Sequence, residues 1–546
     1  MILRWAGSFV LFAVIIPAAF AQEQPSGNDD PVLRAMRTEM ERSKAKLKLE
    51  QMAAPYYIDY RVTDTETILA EAAFGAVRGN VHTRIRLLRV TVRVGDYRQD
   101  SFYREGLGTT EFMPLDDDPI AMRHQMWLGT DTAYKAATQA LTAKQAALKQ
   151  YNVEQPADDF AHADPVQSIE PMAKLDVDPQ PWYRMLEKAA AVYKSDPKVE
   201  GIDTQLHFEA INKYFVNSEG TVTRSGQLLY QLNIGIMTQA SDGMRLDRSH
   251  SYTVANIKEL PSEQGFLKKS SELQASLNDL RLAPIADEEY RGPVLFSAEA
   301  ASSVFADFVG ENVLGTKPTL GQPARTRGAW ATSYKTRVLP DFLDVVDDPT
   351  LTSAEGHSLL GHYDVDDEGV RTMKVRVVQN GKLMNYVLGR EPIRDFPSSN
   401  GHSRAANPAT PPGPALGNLV VSSNEPVSPA DLKQKLIDIC KQRELPYGYY
   451  VETLAPRRVP RLIYRVYAKD GREELVRGAV FGDLDARAVR NDLVAAGNDV
   501  YVDNRVTNIP HSIVNPSVLF DELEVKRANA NMEKLPEYPP PAVASN

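Results

Sequence analysis

Hydrophobic positions change their period several times along this chain, and each change marks an element. Leu33, Met36, Met40, Leu47 and Met52 recur near helical spacing, which predicts a helix starting at Pro31. The pattern then turns strand-like. Residues 56–62 and 67–79 read as two candidate strands, and residues 82–97, rich in Val, Ile and Leu, as a third. A long helix is predicted over 119–150, which is dense in strong helix formers. An acidic, proline-containing joint follows over 152–180, then a helix near 182–193. Strands run from Gly201 to Val254, divided by turn signals at Asn217-Ser218-Glu219-Gly220 and Ser241-Asp242-Gly243. A helix over 262–282 closes this half.

The second half opens at Tyr290. Val294-Leu295-Phe296 reads as a strand feeding a helix, with Ser297 at the N-cap and Val304, Phe305, Phe308 and Val309 as the buried stripe. A polar loop is expected over 310–335. Residues 371–388 read as a hairpin around Asn380-Gly381, the preferred pair for a type I′ turn. Residues 391–418 carry Pro, Gly, Ser and Asn without a period, and a loop of that length in a compact domain is usually functional or disordered. Ser428-Pro429-Ala430-Asp431 supplies an N-cap, a proline in the first turn and an acid at the positive end of the helix dipole, so a helix is predicted to about Arg443. Strands are read at 447–454, 461–479 and 517–525, with a helix over 484–497 between the last two. No internal repeat is visible, which excludes a solenoid. The predicted class is α+β. A mixed sheet-and-helix domain over 31–285 precedes a second domain over 286–527, and a proline-rich tail over 528–546 is expected to be disordered.

Composition narrows the class of function. The chain has 546 residues, with 62 basic against 72 acidic and a net charge of −10, which is not the signature of a nucleic-acid binder. Arg4, the apolar run Phe9 to Ile16 and Ala19-Phe20-Ala21 form a signal-peptide pattern over 1–21, followed by a polar, disordered linker over 22–30. No other run approaches the ~20 apolar residues of a membrane span. The expected location is therefore periplasmic or secreted, with no membrane attachment after cleavage. Cys440 is the only cysteine, so an internal disulfide is impossible. It lies beside Leu436 and Ile437 on an apolar helical stripe, as a small core residue does.

Several segments carry a resemblance. GHYDVDDEGV (361–370), VRVVQNGKLMNYVLGRE (375–391), SNGHSRA (399–405), GNLVVSS followed by SPADLKQKL, YAKDGREELVRGA and NPSVLFDELEV occur in the order and spacing of the TldD/PmbA family of peptidase-related proteins. From Gly292 to Val525 the chain is similar to that family's C-terminal part. The resemblance implies that 286–527 is a TldD/PmbA-like antiparallel-sheet domain and that 31–285 is the family's separate N-terminal domain. Zinc-bearing members carry His-Glu-x-x-x-His after the first core strand. The matching stretch here is Ala298-Glu299-Ala300-Ala301-Ser302-Ser303. Counting back from Asn515-Pro516 to the position of the family's third ligand lands near Val502, with no Cys. A zinc site needs about three N, S or O ligands, and alanine cannot supply one.

The resemblance therefore implies the non-metal, PmbA/TldE-like branch. Such a subunit has no metal or cofactor of its own, and zinc is expected only in a metal-bearing partner. It binds extended peptide or unfolded protein and supports proteolysis as a homodimer or a heterodimer with a TldD-like paralogue. Two other readings stand beside it: a stand-alone peptidase with an unidentified site, and a non-enzymatic envelope binding protein.

Among individual residues, Glu299 is the remnant of the motif, and in the first turn of a helix it also complements the dipole. Asn400, His402 and Arg404 are candidate substrate contacts in the 391–418 loop, with Arg404 suited to a carboxylate. His357 and His362 lie near Asp364, Asp366, Asp367 and Glu368, the only dense His/carboxylate cluster in the chain. Their spacing does not place both rings on one helix face, and an acidic turn with Gly369 at positive φ is the plainer reading. Ser297, Ser302 and Ser303 lack the G-x-S-x-G elbow of a serine hydrolase. The export signal makes a direct prediction: N-terminal sequencing of protein recovered from the producing cell should begin at Gln22, and an intact Met1 rejects it.

Overall fold

The computed structural model describes residues 30–48, 52–151 and 157–529. The signal-peptide pattern, the linker up to residue 29 and the tail from residue 530 lie outside the described residues. Asp30 lies inside them and is ordered. Its carboxylate caps the helix Pro31–Lys46 by accepting from the Val32 and Leu33 amides, and pairs with Arg224 at 2.8 Å.

The N-terminal half is built on one seven-stranded sheet. Its central hairpin pairs Pro55–Ala73 with Ala76–Val94, and Gly201–Asn217, Val222–Gln239 and Arg245–Val254 extend it antiparallel on one side. Thr109–Phe112 adds to the other side, and the short strand Gln167–Ile169 joins in parallel. The separate strands read at 56–62 and 67–79 are thus one long strand and a turn. The turn falls at Phe74-Gly75, both at positive φ (49° and 77°), which is the type I′ geometry of a two-residue hairpin. A phenylalanine in the first turn position hides that signal in the sequence.

Alternation along Pro55–Ala73 gives the sheet two different faces. Ile58, Tyr60 and Val62 point toward Met36, Met40 and Met126 of the helices Pro31–Lys46 and Pro119–Tyr151, and form a core with Leu88, Val90 and Val92. At its other end the same face packs on Gln180–Ala190 and Glu263–Leu282 through Ile68, Phe208, Leu232 and Phe266. Asp59, Arg61 and Thr63 turn the opposite way and are also buried. They meet the second half of the chain.

The C-terminal half has a six-stranded and a seven-stranded sheet around one core. The helix Ala298–Phe308 packs into that core through Val304, Phe305 and the following Val309, as its stripe predicts. The sheets are not purely antiparallel. Asn418–Ser423 pairs in parallel with Pro510–Asn515, and Glu289–Phe296 with Tyr447–Ala455. Each parallel pair joins strands far apart in the chain, as a crossover requires. The helix read over 484–497 is shorter, Ala486–Asn491. Leu493–Ala496 becomes a strand against Val518–Arg527, with Leu493, Ala495 and Ala496 buried and Val494 exposed. Packing overrides helix propensity there. The 371–388 hairpin turns at Asn380-Gly381, both at positive φ, but its second arm is only Lys382–Leu383.

The two halves are joined by buried charge. Arg390 is fully buried and forks onto Glu219 at 2.7 and 2.8 Å, while its Nε donates to the Ala161 carbonyl at 2.9 Å. Its guanidinium lies 4.0 Å from the Phe160 ring centroid. Lys213 of the sheet donates to both oxygens of Asp367 at 2.9 and 3.0 Å. Replacing Arg390 by alanine leaves the Glu219 carboxylate to Tyr97 and Asn217 alone and should lower stability by about 3–5 kcal/mol, the cost of breaking a buried pair, as read by urea unfolding. A loss below about 1 kcal/mol, typical of a surface pair, contradicts this role.

Candidate functional site

The strand Glu289–Phe296 ends at Ser297, whose hydroxyl accepts from the Ala300 amide at 3.0 Å and starts the helix Ala298–Phe308. The helix runs beside the strand Tyr501–Val506, the edge of the six-stranded sheet. Ala298 is buried, and its carbonyl accepts from Asn515 at 2.8 Å. Counting along the chain points to Val502, but the strand's alternation turns Asp503 and Arg505 toward the helix instead. Ser302 donates to Asp503 Oδ2 at 2.7 Å. Arg505 Nε donates to the same oxygen at 2.6 Å, and its Nη2 reaches the hydroxyls of Ser302 and Ser303 at 3.1 Å each.

These residues do not fit zinc. Where the family motif brings imidazoles from two helical positions, this chain has a methyl group and a hydroxyl. The hydroxyl is already held by a guanidinium, a cation with five donors and no acceptor. Asp503 is the one oxygen ligand at the third position, and it is neutralised by Arg505. Among the described residues no group of three or more His, Cys, Asp or Glu is arranged to hold a metal.

Glu299 stands at a seam between the halves. Here Tyr501–Val506 passes the strand Arg245–Val254, and Asn504 donates to the Thr253 carbonyl at 3.2 Å. Arg248 is buried in the seam and donates to Thr453 at 3.0 Å, with its Nε unpartnered. Glu299 is exposed as a residue, yet the seam crowds its carboxyl. That crowding raises its pKa, Arg248 opposes the shift, and Glu452 and Asp503 add to it.

The loop candidates sit elsewhere. His402 is fully buried, with Nε2 3.1 Å from Asp347 Oδ1 and Nδ1 2.9 Å from the Asn400 carbonyl. Asn400 is committed to the backbone of Leu388 and Tyr386 at 2.7 and 2.8 Å. Neither side chain presents a free donor to a ligand; both hold the loop in the core, because a long loop packed inside must satisfy its own polar groups. Arg404 bonds the Leu416 and Pro510 carbonyls and lies 4.7 Å over the Tyr363 ring, on the wall of a cavity between the halves. The acidic cluster does not converge. His357, His362 and Asp364 are exposed, whereas Asp366 and Glu368 turn inward. Gly369 has φ 80°, and a Cβ there would lie 2.7 Å from Phe215, so this acidic turn needs glycine twice over. Cys440 is fully buried, and burial pushes its thiol up to about 11. Arg248, Asp503 and Arg505 escape a reading by motif; the signal that finds them is the two-residue period of YVDNRV and an arginine inside an edge strand.

Residues 289–527 match the family model described as the PmbA/TldA metallopeptidase C-terminal domain. The second half of the chain is therefore similar to the C-terminal domain of that family. The fold extends the likeness to the whole molecule. A protein of Thermotoga maritima described as a candidate modulator of a DNA gyrase aligns over 90% of this chain and 99% of its own, with 14% identity and a TM-score of 0.61. TldE from Thermococcus kodakarensis aligns over 90% and 99%, with 12% identity and a TM-score of 0.59. A protein of Bacteroides thetaiotaomicron, also described as a candidate gyrase modulator, aligns over 92% and 100%, with 12% identity and a TM-score of 0.57. At these identities the likeness is one of fold. No curated protein matches the sequence significantly.

The Arg505 network can be tested by restoring the ligands. The variant A298H/S303H supplies two imidazoles beside Asp503, yet should not retain zinc while Arg505 fills the space between them. Adding Arg505→Gln should permit stoichiometric zinc, read by metal analysis after dialysis. Equal zinc in both variants contradicts the occluding role of Arg505.

Proposed function

We propose that this protein is a metal-free, peptide-binding subunit that supports proteolysis in the cell envelope by a metal-bearing partner. The observation that carries the reading is the Arg505 guanidinium fastened to Ser302, Ser303 and Asp503 where zinc-bearing relatives place ligands. A pre-existing cation there removes both the site for a metal ion and any metal-bound water for Glu299 to activate. Glu299 then serves the helix dipole and the charge balance of the seam.

The partner is a second copy of this chain or a TldD-like paralogue with His-Glu-x-x-x-His, exported to the same compartment. The peptide lies extended along the seam and adds to the edge strand Tyr501–Val506. Main-chain hydrogen bonds give affinity with little preference for sequence. Asn400 and His402 shape the 391–418 loop from inside, which leaves its more exposed stretch, 405–412, as a wall of a peptide-binding chamber shared by the two subunits. No described helix is long and apolar enough to cross a membrane.

Purified mature protein should hold no stoichiometric zinc, should not cleave unstructured peptide alone, and should sediment as a dimer with itself or with such a paralogue. About one metal per chain with chelator-sensitive cleavage sinks this reading. A strict monomer under both conditions removes the shared chamber.

A further inference from the structure

Between the two halves lies a cavity of about 200 Å³. That is well above the ~10–15 Å³ needed to seat one water by the same measure. Its floor is the polar face of the N-terminal sheet at Lys213 and Gln227, its roof is Tyr363 and Asp367, and Glu170 and Arg404 complete the wall.

Most of the charge in this cavity is already matched. Lys213 and Asp367 neutralise each other. Asp366 accepts from the backbone amides of Glu368, Val370 and Ser403 at 2.9 to 3.0 Å. His362 Nδ1 lies 2.9 Å from the Pro349 carbonyl.

Two groups of opposite sign are left over. The half-buried Glu170 carboxylate makes no hydrogen bond or ion pair with any described residue. Arg404 is 6% exposed, bonds only to carbonyl oxygens and has no carboxylate within ion-pair distance. The Tyr363 hydroxyl, of the same cavity lining, is buried without a hydrogen-bond partner. An anion alone would satisfy Arg404 and leave Glu170 unpaired in the same cavity. A cation alone would do the reverse. A ligand carrying both charges satisfies the pair and returns the desolvation cost of each.

We propose that this cavity binds a small zwitterion, a dipeptide or a free amino acid, with its ammonium on Glu170, its carboxylate on Arg404 and the Tyr363 hydroxyl as a further hydrogen-bonding group. None of these residues belongs to the seam at Glu299. The site is therefore separate from the extended-peptide surface proposed above, and its failure would leave that surface untouched.

Titration calorimetry on the mature protein tests it, with alanine, glycylglycine, N-acetylglycylglycine and glycylglycinamide as probes. Saturable binding of alanine or glycylglycine is expected, and blocking either terminus should weaken the dipeptide. Glu170→Gln leaves the fold intact, because that carboxylate has no internal partner. It should weaken zwitterion binding by about tenfold or more, the scale of one charge-assisted hydrogen bond, and erase the penalty for acetylation. Absence of saturable heat with both free probes overturns the proposal. So does unchanged binding by Glu170→Gln, or blocked dipeptides that bind as well as free ones.

Discussion

The molecule depends on how the acidic turn at 366–369 meets the N-terminal sheet. Asp366 gathers three backbone amides, from Glu368, Val370 and Ser403, and so fixes the turn against the loop that follows. Glu368 accepts from the Arg390 amide at 2.6 Å, while the Arg390 side chain forks onto Glu219 across the boundary. Asp367 takes Lys213 of the sheet. Burial raises the Asp367 pKa, but Lys213 and Arg61 outweigh it and hold the carboxyl below its ordinary range. Three consecutive acids thus face three different partners, and Gly369 lets the backbone press against Phe215. A bulkier or unpaired residue at any of these positions would separate the halves or leave a charge in the interior.

A polar boundary of this kind trades stability for geometry. Apolar packing would hold two sheets together with less desolvation, whereas buried ion pairs are favourable only in one arrangement. Arg61 illustrates the cost. It is 5% exposed, its nearest acid is Asp59 at 3.6 Å, and its Nε and one terminal nitrogen have no partner. Arg89 is also buried, and burial together with Arg61 brings its pKa down to about 10. Such a face tolerates little sliding, so both the seam at Glu299 and the cavity at Glu170 keep their shape.

At residues 298–303 the same chemistry of buried and half-buried charge reappears. A divalent cation would have collected ligands from helix and strand; here one guanidinium ties Ser302 and Ser303 of the helix to Asp503 of the strand. The helix and the strand are linked there by charge and hydrogen bonds.

Much of this was legible in the residues alone. Local signals determine the helices that begin at Pro31, Ser262, Ser297 and Ser428, because caps and periodicity act within a few residues. The Asn380-Gly381 turn and the positive φ of Gly369 were equally local. So was the absence of histidine from 298–303, which needs no coordinates. Tertiary structure decided the rest. It merged two strands through the Phe74-Gly75 turn and converted Leu493–Ala496 from helix to strand, since burial outweighs a propensity difference of a few tenths of a kcal/mol. It drew Asn400 and His402 into the core, where a sequence shows only polar loop residues. It turned Asp503 rather than Val502 toward the helix, because strand alternation rather than counting sets which side chain faces it. Pairings such as Arg505 with Ser303 or Arg390 with Glu219 join residues far apart in the chain, and no local pattern encodes which distant charge a buried arginine will meet.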